Sequence, residues 1–279
     1  MMKKFILNAL FFAALIPVAL HVKPLYLLYN NKYQKMVAGH EIYYSITKSK
    51  QKNRAKKLVL GDSVGKQLFS NTTTTTINSL ACNQSIGVVG QYLLLNNYLA
   101  AGNSIDTLYL FFNPLSFRNN LDQEYTYHYF LKPFYNKEYS SLFTPTVTHQ
   151  INKINYHSIC TTPYILTSNW APDFTSINRD TTALLSPISV QYLTKIKTLA
   201  TQHKFKFIIV PTPVSVATKA IVDKLSIAEI AQNNFTAEFT NYFTRMPCLA
   251  DSCFSDGTHL KHPSKYIQEY HQKFHAHNF

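Results

Sequence analysis

Lys57-Leu58-Val59-Leu60-Gly61-Asp62-Ser63-Val64-Gly65 reads as a short apolar strand that stops at a Gly-Asp-Ser corner and turns into a helix. A serine at such a corner holds its hydroxyl clear of the sheet, at the start of a helix whose free N–H groups face the same space. Near the other end of the chain, Asp256-Gly257-Thr258-His259 supplies a carboxylate and an imidazole within four residues. An acyl-transferring serine needs both: a base to take its proton, and a carboxylate to orient and stabilise that base. Each half has a plainer reading on its own, since serine after a strand is commonly a helix N-cap and Asp-Gly favours a turn. Order and separation connect them. The serine follows the first strand and the Asp/His pair precedes the last helix, so a doubly wound parallel sheet would bring both to its carboxyl edge, where such folds place their sites.

Working outward, Asn71 and the threonines from Thr72 to Thr76 form a polar, β-branched tract that reads as a loop. Ser79 to Gly90 holds a short second strand and a glycine-bearing turn, and Gln91 to Ala101 carries apolar residues at helical spacing before Gly102-Asn103 stops it. Ile105 to Phe112 is nearly continuous in apolar residues, as a strand buried on both faces should be, and ends at Asn113-Pro114. This βαβ pattern predicts parallel strands. A helix over Ser189 to His203 leads into a strand, Phe205 to Val210, ending at Pro211-Thr212-Pro213. Beyond it lie a helical stretch from Lys219 to Phe243, interruptible at Ser226 and Asn233-Asn234, a short strand near Met246 to Leu249, and a final helix opened by Pro263-Ser264.

Gly61, Asp62 and Ser63 after the first strand, with Asp256 and His259 before the final helix, resemble the terminal blocks of the SGNH (GDSL-type) hydrolases and acyltransferases. The resemblance covers about residues 58 to 275. It implies an α/β fold, a flavodoxin-like three-layer α/β/α arrangement around a parallel sheet, with Ser63, His259 and Asp256 as the triad. It also implies an oxyanion hole from the backbone N–H of Ser63, a glycine N–H (Gly87, with Gly90 as the alternative) and the amide of Asn113. The family's usual Gly-x-Asn-Asp block is here Phe111-Phe112-Asn113-Pro114. That departure looks more like the branch containing membrane-anchored proteins of envelope polysaccharide O-acetylation and teichoic acid D-alanylation. The branch implies an esterase or O-acyltransferase acting on acyl, chiefly acetyl, esters of envelope polysaccharide, with a multipass membrane acyltransferase as partner and no cofactor. The rival expectation is a non-catalytic scaffold retaining the fold.

Composition and compartment frame these expectations. The chain has 279 residues and a net charge of +13, but its positives are scattered apart from the run Lys48 to Lys57, which favours a membrane-proximal segment over a nucleic-acid site. Met1-Met2-Lys3-Lys4 precedes an apolar run from Phe5 to Val22, about 27 Å long as a helix and barely a bilayer core. With no small-x-small site before Lys23-Pro24, it reads as an uncleaved signal anchor with a cytoplasmic N-terminus, leaving the remainder extracytoplasmic, in a bacterial-type periplasm. The expected division is an anchor over 1–24, a basic neck over 25–57 and one α/β domain over 58–279. Within that domain, 117–185 forms an aromatic-rich cap whose Tyr125, Tyr127, Tyr129, Phe130, Phe134, Tyr135, Tyr139 and Trp170 suit either sugar stacking or the cap's own core. Cys248 and Cys253 are close enough in sequence to join in an oxidising compartment. A zinc site from Cys248, Cys253, His259 and His262 matches no standard spacing, so no metal is expected. Gly61 to Gln67 also resembles a phosphate loop, but only three residues separate its glycines and Gln67 replaces the magnesium-binding hydroxyl.

Overall fold

The computed structural model of the chain describes residues 2–21, 40–70, 72–82, 87–121, 134, 136–152 and 182–275. Strands β1 (Lys57–Gly61), β2 (Ile77–Ser79), β3 (Thr107–Phe112) and β4 (Lys206–Pro211) form one parallel sheet in the order β2-β1-β3-β4. Helix α1 (Met2–His21) precedes the sheet with α2 (His40–Ser49), and α3 (Ser63–Leu68), α4 (Gly87–Ala100), α5 (Pro145–Asn152) and α6 (Pro187–His203) lie between strands. After β4 come a two-stranded parallel pair, β5 (Val214–Ser215) with β6 (Cys248–Leu249), the short helices α7 (Val216–Val222) and α8 (Ala228–Gln232), and a last helix α9 (Ser264–His275).

Strand side chains alternate between two cores, as a pleated sheet requires. Leu58, Leu60, Leu108, Leu110, Phe112, Phe207 and Ile209 pack with residues of α2, α4 and α6. Val59, Tyr109, Phe111 and Val210 pack instead with Leu68, Phe69 and Tyr270, from α3 and α9. Both faces are therefore covered, which explains why these strands read as continuous apolar runs. Helix α4 is apolar on almost every side because it lies between the sheet, α2 and α6; twelve of its fourteen residues are buried. Each large apolar side chain so buried contributes about 1.5–3 kcal/mol.

The sheet's carboxyl edge is finished by side chains where strand pairing ends. β2 pairs with β1 only as far as Val59–Ser79; beyond it the Gly61 carbonyl keeps one long bond, from the Cys82 N–H at 3.4 Å, and the Gly61 N–H is left to a side chain. Gln91 of α4 takes the place of a strand there, accepting from the Gly61 N–H at 3.2 Å and donating to its carbonyl at 3.1 Å. On the far side, Tyr242 donates to the Phe112 carbonyl at 2.6 Å.

Several boundaries differ from the sequence reading. The basic neck is not a spacer beyond His40: α2 packs into the main core through Ile42 and Ile46, and the Ser49 hydroxyl accepts from Asn97 of α4 at 3.1 Å. Its charge run is likewise engaged, with Lys48 donating to the Ser79 carbonyl at 2.8 Å while burial pulls its pKa down to about 8. The domain thus begins at least as early as His40. The helical stretch predicted over Lys219 to Phe243 is broken into α7, α8 and a series of turns. Asn234, at φ +59°, takes the left-handed conformation that ends a helix.

Of the aromatic insertion, Phe134 and Tyr139 are buried in the main core, as are Val147 and Ile151 of α5. These residues act as core. Tyr125, Tyr127, Tyr129, Phe130, Tyr135 and Trp170 lie outside the described residues. The N-terminal run does form a helix, α1, with Phe5, Leu7, Leu10, Phe11 and Phe12 exposed. Among the described residues, no helix is long and apolar enough to cross a membrane.

Candidate active site

The Gly-Asp-Ser corner folds as the sequence predicts, but its residues divide the work differently. Asp62, not Ser63, is the N-cap of α3: its Oδ1 accepts from the N–H groups of Val64 and Gly65, both at 3.1 Å. Its Oδ2 accepts from the Asn113 N–H at 2.7 Å and the Ser116 hydroxyl at 2.9 Å. One carboxylate thereby ties the corner after β1 to the corner after β3. Burial pushes its pKa up, and the four donors oppose that shift. Freed from capping, Ser63 occupies the first helical position, where its hydroxyl can serve another partner.

Close approach makes the corner possible. A methyl group on Gly61 or on Gly65 would stand 2.7 Å from the Phe111 carbonyl oxygen, closer than non-bonded contact allows. Only glycine lets the start of α3 lie this near β3.

The Asp256/His259 segment is a tight antiparallel loop. Phe254 bridges Leu260, the Ser255 N–H donates to the His259 carbonyl at 2.8 Å, and the Lys261 N–H to the Cys253 carbonyl at 2.9 Å. Gly257 turns the tip at φ +79°. Asp256 serves twice within it. Its Oδ1 accepts from the N–H groups of Thr258 at 3.1 Å and His259 at 2.8 Å, holding the turn, while Oδ2 lies 2.6 Å from the His259 Nδ1.

The loop brings imidazole to serine: His259 Nε2 is 2.8 Å from Ser63 Oγ, across 196 residues of chain. With Nδ1 facing a carboxylate, the ring is assigned as the Nδ1–H tautomer, leaving Nε2 to accept from the serine hydroxyl. The Ser63, His259 and Asp256 predicted from sequence are therefore joined in one hydrogen-bonded chain. Burial pushes the Asp256 carboxyl up, but hydrogen bonds from the His259 amide and ring and the Thr258 amide outweigh it, holding the group below its ordinary value. A depressed value means that ionised Asp256 stabilises the folded loop above the unfolded pKa, about 3.9, and that this support is lost as pH falls through the folded value. A ¹³C carboxyl titration should give a midpoint below that of a free aspartate; an unshifted or raised midpoint would contradict the geometry.

The three expected oxyanion donors stand on converging elements. The Asn113 oxygen accepts from the Leu115 N–H at 2.9 Å, which fixes the amide's orientation and leaves its NH₂ as the donating end. Gly87 opens α4 at φ +47°, and a Cβ there would lie 3.8 Å from the Ser116 carbonyl oxygen, placing it against the turn after Asn113. Its N–H belongs to the orphan set of a helix start, whereas Gly90 lies a turn further in, so Gly87 is the better candidate.

The sequence reading missed the bridging role of Asp62 and its partner Ser116. The Asn113-x-x-Ser116 spacing was the available signal, legible only once Asp62 is known to be buried. The Cys248–Cys253 bond that the sequence left possible is not formed; both are free thiols. Cys248 lies exposed in β6, while a 3₁₀ turn over Asp251–Cys253 carries the Cys253 side chain against the second core, beside Tyr266. His262 sits exposed ahead of α9, Cys82 is buried in the main core, and Cys160 lies outside the described residues. A cleft of about 530 Å³ runs elsewhere, along β4 beside Arg245, Tyr270 and Lys273, and no triad residue lines it. The hydrogen-bonded groups mark the site.

No known family model and no curated protein matches the chain.

Proposed function

We propose that the chain is a serine-dependent ester hydrolase or O-acyltransferase of SGNH (GDSL) type, acting on acyl, chiefly acetyl, esters of cell-envelope polysaccharide. The observation that carries this reading is the continuous path from the Ser63 hydroxyl through His259 to Asp256, at 2.8 Å and 2.6 Å. The fold agrees with it: a four-stranded parallel sheet covered on both faces, with the serine after its first strand, is compatible with the flavodoxin-like three-layer arrangement that the resemblance implies.

In the proposed reaction, Ser63 Oγ attacks the ester carbonyl carbon as His259 Nε2 takes its proton, and Asp256 stabilises the imidazolium. The carbonyl oxygen becomes an oxyanion that accepts from the N–H groups of Ser63 and Gly87 and the NH₂ of Asn113, each such donor being worth about 3 kcal/mol of barrier. Collapse breaks the C–O bond to the departing alcohol, which takes the proton back from Nε2, and leaves an acyl-serine. Water then attacks to give hydrolysis, or a sugar hydroxyl attacks to give transfer, with His259 again the base.

Among the described residues α1 is not long and apolar enough to cross a membrane, so the proposed setting rests on its exposed apolar surface and on the apolar run that the sequence carries to Val22. The helix's exposed Phe, Leu and Ile side chains point to all sides, and a helix apolar all round requires an apolar surrounding. As a signal anchor with Lys3 and Lys4 in the cytoplasm, it would tether the domain on the periplasmic side, beside a multipass acyltransferase that supplies acyl groups. No nucleic-acid role is proposed.

Full-length protein should turn over p-nitrophenyl acetate, with activity abolished in Ser63→Ala and retained in Lys66→Ala. No turnover of this ester or of acetylated glycan, together with partner binding indifferent to Ser63→Ala, would instead identify a scaffold.

A further inference from the structure

Ser63 and His259 belong to segments at opposite ends of the domain sequence, and their mutual bond alone would not fix them. Gln67 lies one turn after Ser63 on α3, so the two side chains share a helix face. Its Nε2 donates to the Leu260 carbonyl at 3.1 Å, and its Oε1 accepts from the Leu260 N–H at 3.0 Å. This is a two-bond ring between one side-chain amide and both backbone groups of the residue next to His259. It repeats what a neighbouring strand would offer, and it binds the imidazole loop directly to the helix that starts at the serine. Leu260 is itself 3% exposed and bridged to Phe254, so it is a fixed point of the loop. A glutamine amide has both the donor and the acceptor this pairing needs, at the right reach; asparagine is one methylene shorter and glutamate lacks the donor.

We infer that Gln67 is a positioning residue for the Ser63–His259 pair, setting the loop's height on α3 so that Nε2 meets Oγ. This inference rests on the proposed serine chemistry for its catalytic meaning, but the geometry it concerns can be read without turnover. It also explains why a residue that spoils a phosphate loop stands at this position.

The test uses the full chain with Gln67→Met, which keeps length and removes both bonds, and Gln67→Glu, which keeps the acceptor and loses the donor. Two readouts are taken on protein whose folded fraction is measured by circular dichroism: kinetics on p-nitrophenyl acetate, and the ¹⁵N ring resonances of His259. Gln67→Met should lower kcat about a hundredfold, as a displacement near 1 Å can, with KM within about twofold, and Gln67→Glu should fall between it and wild type. The His259 Nε2 resonance should move in both variants toward its position in Ser63→Ala. Should Gln67→Met not fold, Gln67→Glu carries the same comparison. Unchanged ring resonances in the folded variants would overturn the inference, as would a loss of kcat that follows the folded fraction alone. If wild type turns over no ester while the ring resonances still respond to Gln67, the positioning role stands and the proposed function falls.

Discussion

His259→Ala should lower kcat on p-nitrophenyl acetate by about 10⁴–10⁶-fold, as removal of a triad base does in serine hydrolases, with little change in stability. Among the described residues, the ring is the group hydrogen-bonded to Ser63 Oγ, which makes it the base in the proposed reaction. It is also one-quarter exposed, and its removal leaves no buried group orphaned. Asp256→Asn is the informative companion. The amide oxygen can still accept from Thr258 and His259 to hold the turn, but an NH₂ facing Nδ1 selects the wrong tautomer and turns a donor toward serine. Folding should therefore survive while kcat falls about 10⁴-fold. Steady-state kinetics beside a denaturation curve separates the two effects. Comparable activity in His259→Ala and wild type would remove the base from the mechanism.

Asp62→Ala should do the reverse and strike the fold. Four donors converge on this carboxylate: the N–H groups of Val64, Gly65 and Asn113, and the Ser116 hydroxyl. Asp62 is 6% exposed, so water cannot readily replace it. Each orphaned buried donor costs about 1–3 kcal/mol. The losses are not additive within one network, and an overall destabilisation of about 3–5 kcal/mol is expected. That is a large share of the 5–15 kcal/mol typical of a domain. Asp62→Asn should be milder, keeping one oxygen for Val64 and Gly65 while setting an NH₂ against two donors. Urea denaturation at neutral pH measures both variants, and an unshifted midpoint in Asp62→Ala would refute the bridging role.

These two residues also show how much the sequence disclosed. His259 was legible because catalysis constrains chemistry and order: a serine after the first strand and an imidazole before the last helix can meet only at the carboxyl edge of a parallel sheet. Three of the four sheet strands, β1, β3 and β4, were legible for a similar reason, since burial on both faces writes Leu108 to Phe112 as an unbroken apolar run. The second strand, read within Ser79 to Gly90, lies instead at Ile77–Ser79, and its three residues are too few to show a pattern. Asp62 was read only as part of a motif, because nothing in one sequence tells that a carboxylate is buried among four donors. Gln67 was read only as a defect. Its partner is the backbone of a residue 193 positions away, and a backbone partner leaves no trace in side-chain pattern. The neck was misread where α2 packs into the core instead of standing off it, because its buried face is as narrow as Ile42, Ser45, Ile46 and Ser49. The cysteine pairing stayed open in the sequence because closeness along the chain says nothing of the turn that carries Cys253 toward the second core.

Active-site labelling tests the central claim most directly: treat the full chain with an alkyl fluorophosphonate, then locate the adduct by intact-mass and peptide mass spectrometry. The account predicts a single phosphonyl adduct on Ser63, formed quickly in wild type and lost in His259→Ala. No adduct, or one that forms on Ser63 as fast without His259 as with it, would contradict it.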